Sequence, residues 1–407
     1  MKILHTADWH LGKRLERFSR LDEQRLVLEE LINLADEHEV DAVLVAGDLF
    51  DAYNPSSEAI ELLYKVLKKL TNNGRRPVIA IAGNHDSPER IEAPDPLARE
   101  CGILFAGYPY SHIAPFALET GVAVTRSEPG FLEIRLPQYD YPLRLLLTPY
   151  ANEFRLRTFL GLEDAEAQMR DLLHGHWQRL ADTYCDEKGV NFLMAHLYMM
   201  KQGEQPPEEP EDEKPILHIG GAQAVYTQAI PSQIQYAALG HLHRFQEMDK
   251  DRMPIVYSSS PLAYSFSEAG QQKYAVLVEV LPASFAQFEK LALHEGKQLY
   301  RKRFSSVEEA LLWLGENPEA LVELTMVSGD FMSADDRRRL LQSHNGIVTI
   351  IPEVTHKAHV GNERQAIDMN LRMEELFAQY FEHRYGQEPN EELLALFKEV
   401  RAEENEQ

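Results

Sequence analysis

Hydrophobic positions in the first hundred residues follow two alternating rhythms. Short runs at 2–7, 42–46 and 77–82 are almost wholly apolar, which reads as buried strand. Between them, residues 21–39 place Leu28, Leu31, Ile32 and Ala35 at helical spacing. Residues 56–70 read as a second helix, with Ser56 or Ser57 as its N-cap ahead of Glu58. Strand–helix–strand units repeated in this way predict a layered α/β fold. From about residue 103 to Pro149, short strands with Gly and Pro punctuation take over, at 103–106, 131–136 and 144–148. A helix over roughly 164–184 follows, then strands at 191–195, 236–239, 255–257 and 274–280. Residues 1–281 therefore read as one large domain, with a polar loop at 201–215 inserted in it.

After Leu281-Pro282 the pattern restarts. A strand-like stretch at 288–304, a helix at 306–317, a strand at 320–327, a helix at 333–343 and a strand at 347–351 make a compact βαβαβ unit. Ser333 opens its second helix, with Asp335 and Asp336 in the first turn. We place this α+β domain at 282–356. Residues 357–366 are a polar linker candidate in the last segment, 357–407. There 367–385 and 390–400 read as two amphipathic helices carrying Met373, Leu376, Phe377, Tyr380, Phe381, Leu393, Leu394, Leu396 and Phe397. A hairpin of that size cannot bury so many large side chains by itself, which points to a partner surface.

Charge narrows the functional classes. The 407-residue chain carries a formal charge of −24. A protein gripping nucleic acid by a broad basic surface is excluded, because phosphate contacts need Lys and Arg. A nuclease is not, since metal ions or a partner subunit can supply the positive charge. The acidic run at 204–213 (EQPPEEPEDE) reads as a solvated loop. No apolar run approaches the roughly 20 residues of a membrane span, and the start of the chain does not resemble a secretory leader. The expected location is the cytoplasm. Cys101 and Cys185 lie in no paired motif and read as buried small hydrophobes rather than a disulfide.

Five separate apolar strands end in side chains competent to hold metal: Asp8 and His10 after the first, then Asp48, then Asn84 and His85, then His196, then His241 and His243. In α/β sheets, ligands bind beyond the carboxyl ends of the strands. Asp8, His10, Asp48, Asn84, His196, His241 and His243 offer mixed oxygen and nitrogen donors without thiolate. That set suits Mn²⁺, Fe²⁺ or Zn²⁺ better than an all-oxygen Mg²⁺ or Ca²⁺ site. Seven ligands exceed the needs of one ion with open positions, so two ions are natural and one carboxylate must bridge them; Asp48 is placed for that. Two such metals, roughly 3.5–4 Å apart, can activate a water and clamp both oxygens of an in-line phosphoryl displacement. Members of Asp8-x-His10 and of His241-x-His243, two residues apart on an extended strand, face the same side.

Asp8-x-His10, Gly47-Asp48-x-x-Asp51, Gly83-Asn84-His85-Asp86, Ala195-His196 and Gly240-His241-x-His243 together resemble the signature of the calcineurin-like metallophosphoesterases. HTADWHLGK at 5–13, VAGDLFD at 45–51, AGNHDS at 82–87, ALGHLHR at 238–244 and SFSEAGQQK at 265–273 are closer still to the SbcD nuclease family, and the resemblance runs over nearly the whole chain. It implies a four-layer α/β/β/α core, a capping domain that guides DNA over the active site, and a C-terminal helical pair docking on a coiled-coil ATPase, SbcC. It implies that Asp8, His10 and His243 hold one Mn²⁺ and Asn84, His196 and His241 the other, with Asp48 between them. His85 matches a histidine that faces the scissile phosphate, stabilising charge or protonating the leaving oxygen. Asp51 stands where some relatives carry a histidine that helps position DNA. The implied activity is Mn²⁺-dependent 3′→5′ exonuclease action on duplex ends and endonuclease action on single strands and hairpins, within an ATP-regulated repair complex that contains a nuclease homodimer. A small-molecule phosphoesterase and a non-catalytic adaptor are the other readings. The extra domain and helices weigh against the first, and the complete ligand set against the second.

Overall fold

A computed structural model describes residues 1–158, 165–204, 224–328 and 332–354, together with 376, 377 and 381. It divides into two compact units: residues 1–301 with 319–323 and 346–348, and residues 302–318 with 324–345 and 349–407.

The first unit is built on two sheets. One has six strands in the order Gln287–Leu293, Lys273–Glu279, Lys2–Thr6, Ala42–Ala46, Val78–Ile81 and Ile103–Ala106; its last four strands run parallel. The other has eight, in the order Gln246–Glu247, Ile255–Tyr257, Tyr236–Gly240, Val190–His196, Leu143–Thr148, Phe131–Arg135, Ala123–Glu128 and Phe116–Ala117, with a parallel centre. Residue alternation along each strand explains the packing. Ile3, Leu44, Ile79 and Ile81 of the first sheet meet Leu145, Phe192, Met194 and Ala238 of the second in one core. Leu4, Val43, Val45 and Ala80 point the other way, onto helices Leu21–Glu37 and Ser57–Leu70. Leu193, Ala195, Ala237 and Leu239 face helix Ala165–Tyr184 through Met169, Leu173, Trp177 and Leu180. The result is the four-layer α/β/β/α arrangement.

Local signals set the helix boundaries. Ser56 caps its helix by accepting from the Ala59 amide at 3.3 Å. The stretch expected to be one strand at 288–304 is two. Gln287–Leu293 pairs antiparallel with Lys273–Glu279 and completes the first sheet, and Leu299–Phe304 begins a three-stranded sheet with Leu321–Ser328 and Ile347–Val354. The units thus divide at 301/302, twenty residues beyond the 281/282 boundary read from sequence.

In the second unit, helices Val307–Glu316 and Ala334–Ser343 are capped by Ser306 and Ser333, and Arg339 pairs with Glu308 at 2.7 Å. The expected helices at 367–385 and 390–400 lie outside the described residues, apart from 376, 377 and 381, which are helical. The acidic run after Glu204 also lies outside them. Both cysteines are free thiols; Cys185 is buried as expected, whereas Cys101 is only half-buried. Among the described residues no helix is long and apolar enough to cross a membrane.

Candidate metal centre

The eight residues singled out from sequence stand together at the carboxyl ends of strands from both sheets. The chain continues past each strand in register. The Asp8 amide donates to Gly47 O at 3.0 Å, and the His10 amide to Asp48 O at 2.9 Å. Trp9, between Asp8 and His10, is buried in the core under the first helices, and Leu242, between His241 and His243, is buried under helix Ala165–Tyr184. Each apolar residue anchors the turn that presents its two neighbours.

The backbone reason differs from the extended geometry expected. The first strand stops at Thr6, and Asp8, His10, Asp48 and His241 have φ of 55°, 44°, 47° and 109°. Positive φ is uncommon for residues with a side chain, and such conformations cluster where the surrounding structure enforces them. The motif glycines serve close approach. A Cβ on Gly83 would stand 2.1 Å from Asp48 Oδ1, and one on Gly240 would stand 1.8 Å from the Ala46 carbonyl oxygen.

The side-chain geometry falls into two adjoining groups. Ligand atoms of Asp8, His10 and His243 lie within 4.8 Å of one another, as do those of Asp8, Asp48 and His196. His10 Nε2 is 2.9 Å from His243 Nε2. Asn84 Oδ1 is 3.0 Å from His196 Nε2 and 3.1 Å from His241 Nδ1. Asp48 Oδ2 stands between the groups, 3.6 Å from His10 Nε2 and 3.3 Å from His196 Nε2. His196 Nδ1 points at the Ala46 carbonyl at 2.9 Å, which fixes the proton there and leaves Nε2 as an acceptor. That lone pair faces the oxygens of Asp48 and Asn84. Acceptors facing acceptors in a buried site need positive charge among them, either a second proton on His196 or a metal ion.

The electrostatics agree. Burial pushes His196 down, but the Asp48 carboxylate, with Asp8 behind it, outweighs burial and raises it to about 9. Burial also opposes charge on Asp48, yet His196 and His85 hold it well below the usual carboxylate range. Burial, with His196 alongside, lowers His241 to about 3. Opposed shifts within one cluster are common where active sites gather charged groups.

His85 is half-buried and forms a third cluster with Asp51 and His10, their ligand atoms within 4.8 Å of one another. Its Nδ1 is 2.9 Å from the Asp51 carbonyl, and its ring lies edge-on to His10 with centroids 4.8 Å apart. Asp51 pairs with Lys13 at 2.9 Å and has a carboxylate oxygen 3.7 Å from His10 Nδ1.

Sequence reasoning missed three supports. The Asp86 carboxylate accepts from the amides of Leu49, Phe50 and Gly83, at 3.0, 2.9 and 2.8 Å, and so ties two ligand loops together. Arg155 donates to the carbonyls of Gly83 and Asp86, each at 2.7 Å, from the distant helix Glu153–Leu156. Nothing in its local sequence marks it. Glu268 is fully buried, pairs with Lys273, and has Oε1 3.6 Å from His243 Nδ1. The SFSEAGQQK stretch contains both Glu268 and Lys273, so that signal was visible although its geometry was not.

Residues 1–245 match the family of calcineurin-like phosphoesterases. The chain is also 34% identical to the SbcD component of the nuclease SbcCD of Bacillus subtilis, over 98% of its own length and 97% of the relative's. It belongs to the SbcD family of calcineurin-like phosphoesterases. A second SbcD relative, from Rhodobacter capsulatus, is 35% identical over 69% of this chain and 66% of the relative. Two solved structures resemble the chain loosely. A Thermus thermophilus protein does so at 11% identity and a TM-score of 0.37, over 71% of this chain and 98% of its own. A dimetal phosphatase from Danio rerio does so at 12% and 0.38, over 73% and 99%. Membership of the SbcD family makes the chain a metal-dependent hydrolase of phosphodiester bonds.

Proposed function

We propose that this chain is the DNA-cutting component of an SbcCD-type complex, working on DNA in the cytoplasm. The observation that supports it best is the cluster in which the acceptor atoms of Asp8, Asp48, Asn84 and four histidines face one another, with Asp48 between two groups. That donor set fits two divalent ions, Mn²⁺ by preference. Asp8, His10 and His243 would hold one, and Asn84, His196 and His241 the other, with Asp48 available to both. When bound, the ions supply Lewis acidity to the phosphoryl group and to the attacking water.

The protein's own groups do the rest. The Ala46 carbonyl holds His196 in the tautomer that leaves Nε2 free, and the amide of His85 holds Asp48 Oδ1 at 2.9 Å. The Asp51 carbonyl accepts a hydrogen bond from the Nδ1–H of His85, so that in its imidazolium form the ring carries a second proton on Nε2, which would face the scissile phosphate and pass to the leaving oxygen. A histidine suits that role because its ordinary pKa lies near neutrality.

The second domain, which begins at residue 302 rather than 282, acts as a DNA-guiding domain, and 357–407 carry the helices that dock on the ATPase partner, within an assembly built on a nuclease homodimer. An acidic nuclease gains from a partner that grips the duplex. The substrates are duplex ends, cut 3′→5′, and single-stranded or hairpin DNA. The test is cleavage of labelled duplexes with blocked and open ends, in Mn²⁺, Mg²⁺ and chelator, with and without the ATPase partner. Cutting that needs Mn²⁺ and stops in chelator supports the reading. Turnover of a small phosphodiester with no DNA cut, even with the partner present, overturns it.

A further inference from the structure

Beside the metal centre lies an aromatic and cationic surface that no step above uses. The rings of Tyr108 and Tyr110 are stacked, 5.0 Å between centroids and 14° from parallel. The Arg157 guanidinium lies 4.6 Å from the Tyr110 centroid and 5.8 Å from that of Tyr108. Close to Arg157 in the chain, Phe154 is 76% exposed, and Tyr53 is 53% exposed. Exposed aromatics in this part of the chain offer further flat faces on which a planar ligand can stack.

The surface is anchored to the metal centre by a short series of contacts. The Tyr150 ring centroid is 6.5 Å from those of His196 and His241, and Arg155 lies over Tyr150 at 5.1 Å. Arg157 follows two residues later, on a left-handed cap with φ of 52°, so its Cα is within about 7 Å of that of Arg155. On the other side, Tyr108 bonds Glu89, on the helix Pro88–Glu92 that directly follows the Gly83–Asp86 motif. Tyr53 comes two residues after the Asp51 carbonyl that holds His85. The loop is preformed: the Gly107 amide donates to Glu92 at 2.7 Å and the Tyr108 amide to Ser111 Oγ at 2.8 Å. The Tyr110 hydroxyl is buried and has no hydrogen-bond partner among the described residues.

Stacked aromatic rings joined to a guanidinium plane recognise the faces of unpaired bases and the phosphates between them. Duplex DNA hides those faces in its own stack. We propose that Tyr108, Tyr110 and Arg157, flanked by Phe154 and Tyr53, form a stacking subsite for unpaired nucleotides of the DNA substrate, a few nucleotides from the scissile phosphate. It positions single-stranded tails and loops so that the adjoining phosphate reaches the metal centre. The proposal rests on the nuclease reading above and adds to it the residues that select the unpaired strand.

The test uses the full chain with its ATPase partner and compares wild type, Tyr108→Ala/Tyr110→Ala, Arg157→Ala and Tyr108→Phe/Tyr110→Phe. The probes are a duplex with a single-stranded tail carrying 2-aminopurine, a blunt duplex, and bis-p-nitrophenyl phosphate. The alanine variants should bind the tailed duplex on the order of 5–150-fold more weakly for each stacked base lost. They should lose the 2-aminopurine quenching that stacking produces. The blunt duplex and the small diester should be handled as by wild type, which also reports that the variants are folded, and the phenylalanine variant should retain the quenching. Equal losses on tailed and blunt DNA, or no loss on either, would overturn the subsite and leave the nuclease reading standing. A wild type that neither binds nor cuts any DNA would overturn both.

Discussion

Two buried histidines show how differently the middle and the carboxyl end of the sandwich are built. His5 and His196 are both fully buried on central strands. His5 bridges the sheets, with Nδ1 3.0 Å from the Tyr236 hydroxyl and Nε2 3.2 Å from the Leu239 carbonyl. Its bonds close on neutral partners, and burial lowers it to about 3. His196 has one nitrogen closed on a carbonyl and the other facing a carboxylate and an amide oxygen, and it is raised to about 9. Burial alone therefore does not separate a structural histidine from a candidate metal ligand. What separates them is whether the neighbours complete the hydrogen bonding or leave like atoms face to face.

That contrast can be broken by experiment. The largest effect is expected at Asp48, whose Oδ2 lies between His10 and His196. Asp48→Ala should reduce DNA cleavage to the level of the chelated protein, and metal analysis should find fewer than two ions per chain. His85→Gln should cost about 10²–10⁴-fold in turnover with metal content unchanged; a parallel loss of metal would move His85 into the ligand set. Glu268→Gln acts through His243, so titration calorimetry should show metal affinity falling about 10–100-fold while the fold persists. Free Mn²⁺ at a hundred times its Kd should stabilise the wild type by about 2.7 kcal/mol in thermal unfolding, and the Asp48 variant by less.

At the other end of the contrast, His5→Phe should leave metal content unchanged and cost about 1–3 kcal/mol for each partner left unsatisfied. The pH dependence has a definite sign. The unfolded chain protonates this imidazole near 6.5, whereas the folded one resists until about 3. The neutral ring's contribution is complete above pH 6.5 and is lost progressively as the pH falls towards 3. The melting temperature of wild type should therefore drop more steeply over that window than that of His5→Phe.

Much of this was legible in the chain because periodicity and strand endings are local properties. The five strands, the helix capped by Ser56 and the gathering of the eight candidate residues at the strand ends could all be read from short windows. The division near residue 301 could not, because Gln287–Leu293 continues an apolar rhythm, and only pairing with Lys273–Glu279 assigns it to the first sheet. The left-handed turns at Asp8, His10 and Asp48 were equally hidden, since they are imposed by neighbouring strands rather than by glycine. Arg155 was illegible for a related reason: its partners lie about 70 residues away, and one arginine in a polar stretch looks like any other.

The placement of the first strand has a consequence during protein synthesis. Lys2–Thr6, which leads into Asp8 and His10, pairs with Ala42–Ala46 on one edge and with Lys273–Glu279 on the other. The ligands themselves extend from Asp8 to His243. A nascent chain emerges amino end first, at roughly 5–20 residues per second, so the first strand waits tens of seconds for its second neighbour. Throughout that interval, no fragment released from a stalled ribosome carries a complete cutting centre. The candidate metal centre is in this way gathered only after His243 has been made.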